Sequence, residues 1–249
     1  AFVLGPWLDS LFGLAGLFWV AAALGVAALP ILIYAVPNPT GPIQTMPGEV
    51  RRIAWPPAPE LLSLYVGVFC LHGILAASFI SIPLILQDGI GLESGQHYSI
   101  YIPVLIISLL CVAPMIMLAH RAGVGLALFR IAIGIVIIGE LVLWLGPLQK
   151  MTIVFGLTAF FIGFNFLEAS LPSMVSRAAP EAGRGGALGT YSTAQFIGLF
   201  AGGLGGGALS GAFGFRFVFA IAAIVGGGWL IYSLFVPNDE STDTDPSVG

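Results

Sequence analysis

The chain has 249 residues, 58% of them hydrophobic, with a formal net charge of −4 and a mean hydropathy of +1.02. Charged residues make up 8%, against about 25% in a soluble domain, which excludes a water-soluble globular protein. The two cysteines, Cys70 and Cys111, both lie in apolar runs, so no disulfide framework or cysteine metal centre is available and each is expected to pack in the interior.

An apolar stub, Ala1–Leu8, comes first and is too short to cross a bilayer. Seven apolar runs follow, at 15–36, 61–87, 97–119, 124–146, 151–174, 187–212 and 215–236. Each is near or above the roughly 20 residues a helix needs to cross the hydrocarbon core. Their repetition excludes a signal peptide, which is single and N-terminal. The long connection 37–60 carries seven prolines and is expected to be an extended, semi-stiff linker. The tail 237–249 holds Asp239, Glu240, Asp243 and Asp245 with nothing apolar to fold around, so disorder is expected. The organisation is therefore 1–36, then the linker 37–60, a six-helix unit at 61–236, and the acidic tail. The short opening stub and the absent initiator methionine lead us to expect further helices on the N-terminal side.

Arginine and lysine placement sets orientation, because basic loops stay cytoplasmic. Arg51, Arg52, Arg121, Arg130, Arg177 and Arg184 fall on one side of the membrane, and Lys150 and Arg216 on the other. The linker, the loop near 120–123, the loop near 175–186 and the C-terminus are expected on the cytoplasmic face.

Within this apolar background, Glu168 is the most telling residue. A carboxylate among hydrocarbon costs several kcal/mol unless a cavity or partner receives it, and such residues mark functional sites. Thr158, Phe161, Asn165, Glu168 and Pro172 recur at three- and four-residue spacing and share one helix face. Tyr191, Gln195, Gly198 and Gly202 do the same on the next helix. With the loop centred near Pro180, Asn165 should lie level with Gln195, and Glu168 level with Tyr191. If the two helices pack side by side, these four form one polar cluster, serving either substrate and proton handling or structural cross-linking. Gly198, Gly202 and Gly206 form a small-residue ladder of the kind that lets helices approach closely in lipid.

His72, near the middle of its span, either relays protons or is a neutral histidine bonded to a neighbouring helix. Glu140 either titrates or reaches toward the membrane surface, Arg130 is expected to snorkel, and His97 and His120 sit at span ends where water is expected. Pro83, Pro103, Pro114 and Pro172 interrupt spans, and broken helices often line cavities. There is no nucleophile–base pair or phosphate-binding glycine loop, which argues against an enzyme, and neither a metal nor a cofactor is implied.

The run Asn165, Glu168, Ala169, Leu171, Pro172, Ser173 and the run Gly189, Tyr191, Ser192, Thr193, Gln195, Phe196 closely resemble helices ten and eleven of major facilitator superfamily transporters. They look most like the YajR-like branch of the drug:proton antiporter group. Gly5 and Pro6 resemble the end of the antiporter motif on helix five, with Asp9 and Ser10 where two glycines are usual. Leu118 to Gly123, including Arg121 and Gly123, resembles the second copy of the cytoplasmic loop motif, with His120 in place of an aspartate. The resemblance implies an all-α polytopic helix bundle comprising the end of helix five and helices six to twelve. Glu168, Asn165, Tyr191, Gln195 and His72 would then lie on cavity-lining helices, with Glu140 peripheral.

The expected function is secondary active transport in the cell membrane: proton-coupled efflux of small amphipathic compounds by alternating access. The expected partners are the substrate, protons, the bilayer and the helices missing on the N-terminal side, with no role for nucleic acid. A sugar or metabolite uniporter or symporter, and a non-transporting membrane scaffold, are the alternatives.

Overall fold

A computed structural model describes residues 4–35, 57–119, 121 and 124–235. All regular structure among them is helical, and seven helices are long and apolar enough to cross a membrane. The chain divides into two units, 1–50 and 51–249. The first contributes α1, Leu4–Ala35, whose helical run is broken at Gly13, where φ is 65°. The expected stub and first span are thus one helical stretch with a joint that glycine adopts at no steric cost. The linker lies almost wholly outside the described residues, as does the acidic tail.

The second unit holds α2 (Pro59–Leu84), α3 (Tyr98–Ala119), α4 (Gly125–Leu145), α5 (Lys150–Ala178), α6 (Arg184–Phe213) and α7 (Phe215–Phe235). Helix α2 begins with Pro59 and Glu60 in its first turn, where a missing N–H costs nothing and a negative charge meets the positive end of the helix dipole. It runs on beyond Pro83 into a π-helical turn, Ile85–Gly89. Helix α5 ends with Arg177 in its last turn and Ala179 N–H on the Val175 carbonyl at 3.0 Å. Gly214, at φ 87°, separates α6 from α7 while its N–H bonds the Ser210 carbonyl at 3.0 Å.

Helix α2 packs chiefly on α6 and also on α7, while α4 packs chiefly on α5 and also on α7. Helix α3 lies against α5. The fully buried Leu71, Ile74, Phe160, Leu167 and Phe219 fill the space among them. The seam between α2 and α6 is the glycine ladder. A Cβ built on Gly206 would stand 2.6 Å from the Cα of Ala77, and one on Gly198 or Gly202 would strike the backbone at Phe69 or Gly73. Backbones so close leave no space for side chains.

Three expectations, for the cysteines, His97 and Glu140, need correction. Cys111 is exposed and Cys70 half-buried, because the apolar run carrying Cys111 is tightly packed on only one side. His97 is buried, its Nε2 3.0 Å from the Leu92 carbonyl. Arg130 is half-buried, and its Nη2 donates to the Ser233 carbonyl near the end of α7 at 2.8 Å, tying α4 to α7. Glu140 points inward and is completely buried.

Candidate functional site

His72 sits on α2 with its ring buried. Its Nδ1 lies 3.1 Å from the Val68 carbonyl, one turn back along the same helix. A carbonyl can only accept, so Nδ1 carries the hydrogen, and in the neutral ring Nε2 is an acceptor. Phe164 of α5 meets the ring edge-on at 5.7 Å between centroids, which holds the imidazole plane.

Two side chains converge on Nε2. The amide nitrogen of Gln195 on α6 lies 2.7 Å away and donates to it. The Oε2 atom of Glu168 on α5 lies 3.3 Å away. The Gln195 amide nitrogen also reaches Glu168 Oε1 at 3.5 Å, at the limit of a hydrogen bond. Three helices therefore contribute one polar group each to a single cluster. Glu168 Oε2 is buried and accepts no hydrogen bond, although it faces Nε2 closely. With a neutral ring and an ionised carboxylate both atoms would be acceptors, and their separation is that of a pair able to share one hydrogen. The Glu168 side chain as a whole is 38% exposed, against 5% for His72, so Glu168 is the more open of the two although its Oε2 is buried.

The other predicted residues fall around this core. Asn165 does not pair with Gln195. Its Nδ2 donates to Ser108 Oγ of α3 at 3.3 Å, and Ser108 in turn donates to the Leu105 carbonyl at 2.9 Å. Tyr191 is buried one turn before Gln195, but its hydroxyl has no partner and does not bond Glu168. Gly5 and Pro6 have helical backbone in α1. Arg121 lies in the bend after α3, its N–H on the Leu118 carbonyl at 3.0 Å. Gly123 and His120 lie outside the described residues.

Sequence reasoning missed Ser108 and Phe164. A single serine in an apolar helix is too common to stand out, and its spacing between Pro103 and Pro114 was the available signal. A cavity of about 520 Å³ lined by Ile138, Val142, Gly146, Gln149, Thr152 and Phe155 lies apart from the cluster and is mostly apolar. Among the described residues no group of acidic, histidine or cysteine side chains could hold a metal ion.

Residues 162–248 match the family described as the Major Facilitator Superfamily. The chain is similar to the inner membrane transport protein YajR of Escherichia coli K12, with 33% identity over 233 residues, covering 92% of this chain and 51% of that protein. It is also similar to two uncharacterized transporters of Buchnera aphidicola. One is 28% identical over 206 residues, covering 81% of this chain and 53% of the relative, and the other 25% identical over 240 residues, covering 94% and 61%. The chain spans about half the length of the curated relatives it matches. All three relatives are named as transporters and none as an enzyme.

Proposed function

On the premise that the chain belongs to the Major Facilitator Superfamily, with a YajR-like sequence, we propose that it forms the C-terminal part of a proton-coupled efflux transporter for small amphipathic compounds. In this reading it sits in the inner membrane with its C-terminus cytoplasmic. The exposed apolar faces of α3 and α6, which include Leu110 and Phe200, would be covered by lipid or by the remainder of the transporter.

The observation that carries the reading is the 3.3 Å approach of Glu168 Oε2 to His72 Nε2. One arriving proton fits between them and converts two facing acceptors into a donor and an acceptor. On Nε2 it creates an imidazolium beside a carboxylate, a charge-assisted pair. Nε2 could then no longer accept from Gln195, whose amide must turn over and offer its oxygen. Because Gln195 stands on α6 and His72 on α2, protonation rewrites a contact between two helices. That links a proton to a change in helix packing, which alternating access requires. Glu168, partly open, is the group that exchanges its proton with the cavity. Asn165, Tyr191 and Gln195 would offer hydrogen bonds to a substrate there.

The test is uptake of a fluorescent amphipathic cation by vesicles containing the whole protein under an imposed pH gradient. The wild type should accumulate the cation only with the gradient, and Glu168→Gln should abolish that dependence while retaining binding. Unchanged transport and pH response in Glu168→Gln would remove the coupling role. Transport indifferent to the gradient in the wild type would favour a uniporter, and binding without transport a scaffold.

A further inference from the structure

The second acid in the bundle is built in the opposite way to Glu168. Glu140 on α4 is completely buried. Its Oε1 accepts a hydrogen bond from Ser78 Oγ of α2 at 2.9 Å, and Ser78 is itself buried. Its Oε2 has no partner. One turn further along α2, on the face shared by residues three apart, Ser81 is also fully buried with an unpartnered hydroxyl.

The charged groups on the helices around Glu140 are engaged elsewhere. Arg130, on the same helix, binds the Ser233 carbonyl, and Arg216 of α7 binds the carbonyls of Trp144 and Gly146. Arg177 of α5 bonds Ser173, and His72 of α2 is held by Val68, Gln195 and Glu168. Lys150 begins α5, and the carboxyl of Glu168 belongs to the cluster with His72 and Gln195. Tyr101 of α3 stacks on Phe79. Among the described residues, no cation pairs with Glu140.

An ionised carboxylate offers about four acceptor positions, and here one serine hydroxyl serves them. A charge so placed in hydrocarbon is not sustained without a cation or a hydrogen-bond shell. We propose that Glu140 is a second proton-binding site, separate from the His72–Glu168 cluster, which holds its proton on Oε2 as a neutral carboxylic acid bonded to Ser78. The proton converts an orphan acceptor into a donor inside the bundle, beside the Ser78 bond that links α2 to α4. The sealed setting excludes exchange with water on each transport cycle, whereas Glu168 is open. The proton is therefore a fixed structural ligand, and Glu140 is a positioning residue that ties α4 to α2 through Ser78.

Infrared spectroscopy of the whole protein in lipid bilayers at neutral pH tests this. The expected spectrum has a protonated-carboxyl stretch that disappears in Glu140→Gln, shifts in Ser78→Ala, and moves only slowly in heavy water. Glu140→Gln should fold and transport like the wild type, because an amide replaces a neutral acid with little change of shape. A carboxylate band lost in Glu140→Gln, or a sodium-dependent shift of the Glu140 signal, would overturn the proposal. If Glu140→Gln fails to accumulate, the Ser78→Ala spectrum decides: an unshifted acid band overturns it and a shifted one supports it. None of these readouts depends on the coupling role of Glu168.

Discussion

The amide nitrogen of Gln195 stands 2.7 Å from Nε2 of His72, so a polar side chain of α6 and one of α2 share a hydrogen across the glycine seam. A leucine at 195 keeps the bulk and removes the donor. Gln195→Leu should cost about 1 kcal/mol, the net worth of a hydrogen bond, in unfolding experiments in detergent. It should also shift the pH profile of transport, since the partner that distinguishes the two states of His72 is gone.

His72 and Glu168 should behave as a coupled pair. Single neutral variants, His72→Gln and Glu168→Gln, should each flatten the pH dependence of transport. The double variant should be little worse than either. A double-mutant cycle on stability should return an interaction energy of roughly 0.5–3 kcal/mol, as for side chains in contact. Strict additivity would mean that the two groups do not act together.

The glycine seam gives a prediction with an internal control. A Cβ at Gly206 meets the Ala77 backbone, whereas nothing lies within 4 Å of a Cβ at Gly203 or Gly205. Gly206→Ala should destabilise the protein by about 1–3 kcal/mol through overpacking. Gly203→Ala should be neutral or stabilise by up to about 1 kcal/mol, since alanine is the better helix former. Thermal unfolding of the two variants side by side checks this.

Arg130→Met keeps the apolar stem and removes the guanidinium from the Ser233 carbonyl. Hydrogen bonds from charged groups contribute about 1.5–3 kcal/mol, and a loss of that size is expected in unfolding measurements. A snorkelling arginine would lose almost nothing.

The spans were legible because crossing hydrocarbon imposes a length and a composition on each one. Helix neighbours were not, since lipid is as apolar as leucine and hydrophobic pattern does not choose partners. Matching depths along 151–212 paired Asn165 with Gln195 and Glu168 with Tyr191, as if α5 and α6 were the contacting pair. The ladder Gly198, Gly202, Gly206 instead fits α6 to α2, which brings Gln195 to His72 and Glu168 and leaves Asn165 to Ser108 of α3. The residue types of the cluster were visible in the sequence; their pairing depended on backbone proximity, which was not. Glu140 was misjudged for the same reason, because burial on a helix face depends on which neighbours that face meets.

Arg216 enters α7 immediately after the Gly214 joint and grips two backbone oxygens at the end of α4, those of Trp144 and Gly146. With the Arg130 bond to the Ser233 carbonyl at the other end of the same pair, this forked clasp fixes the height of one rod relative to another. The start of α7 and the finish of α4 are therefore held at one level, with the Gly214 joint leading from that clasp back to α6, itself seated on α2 along the glycine ladder.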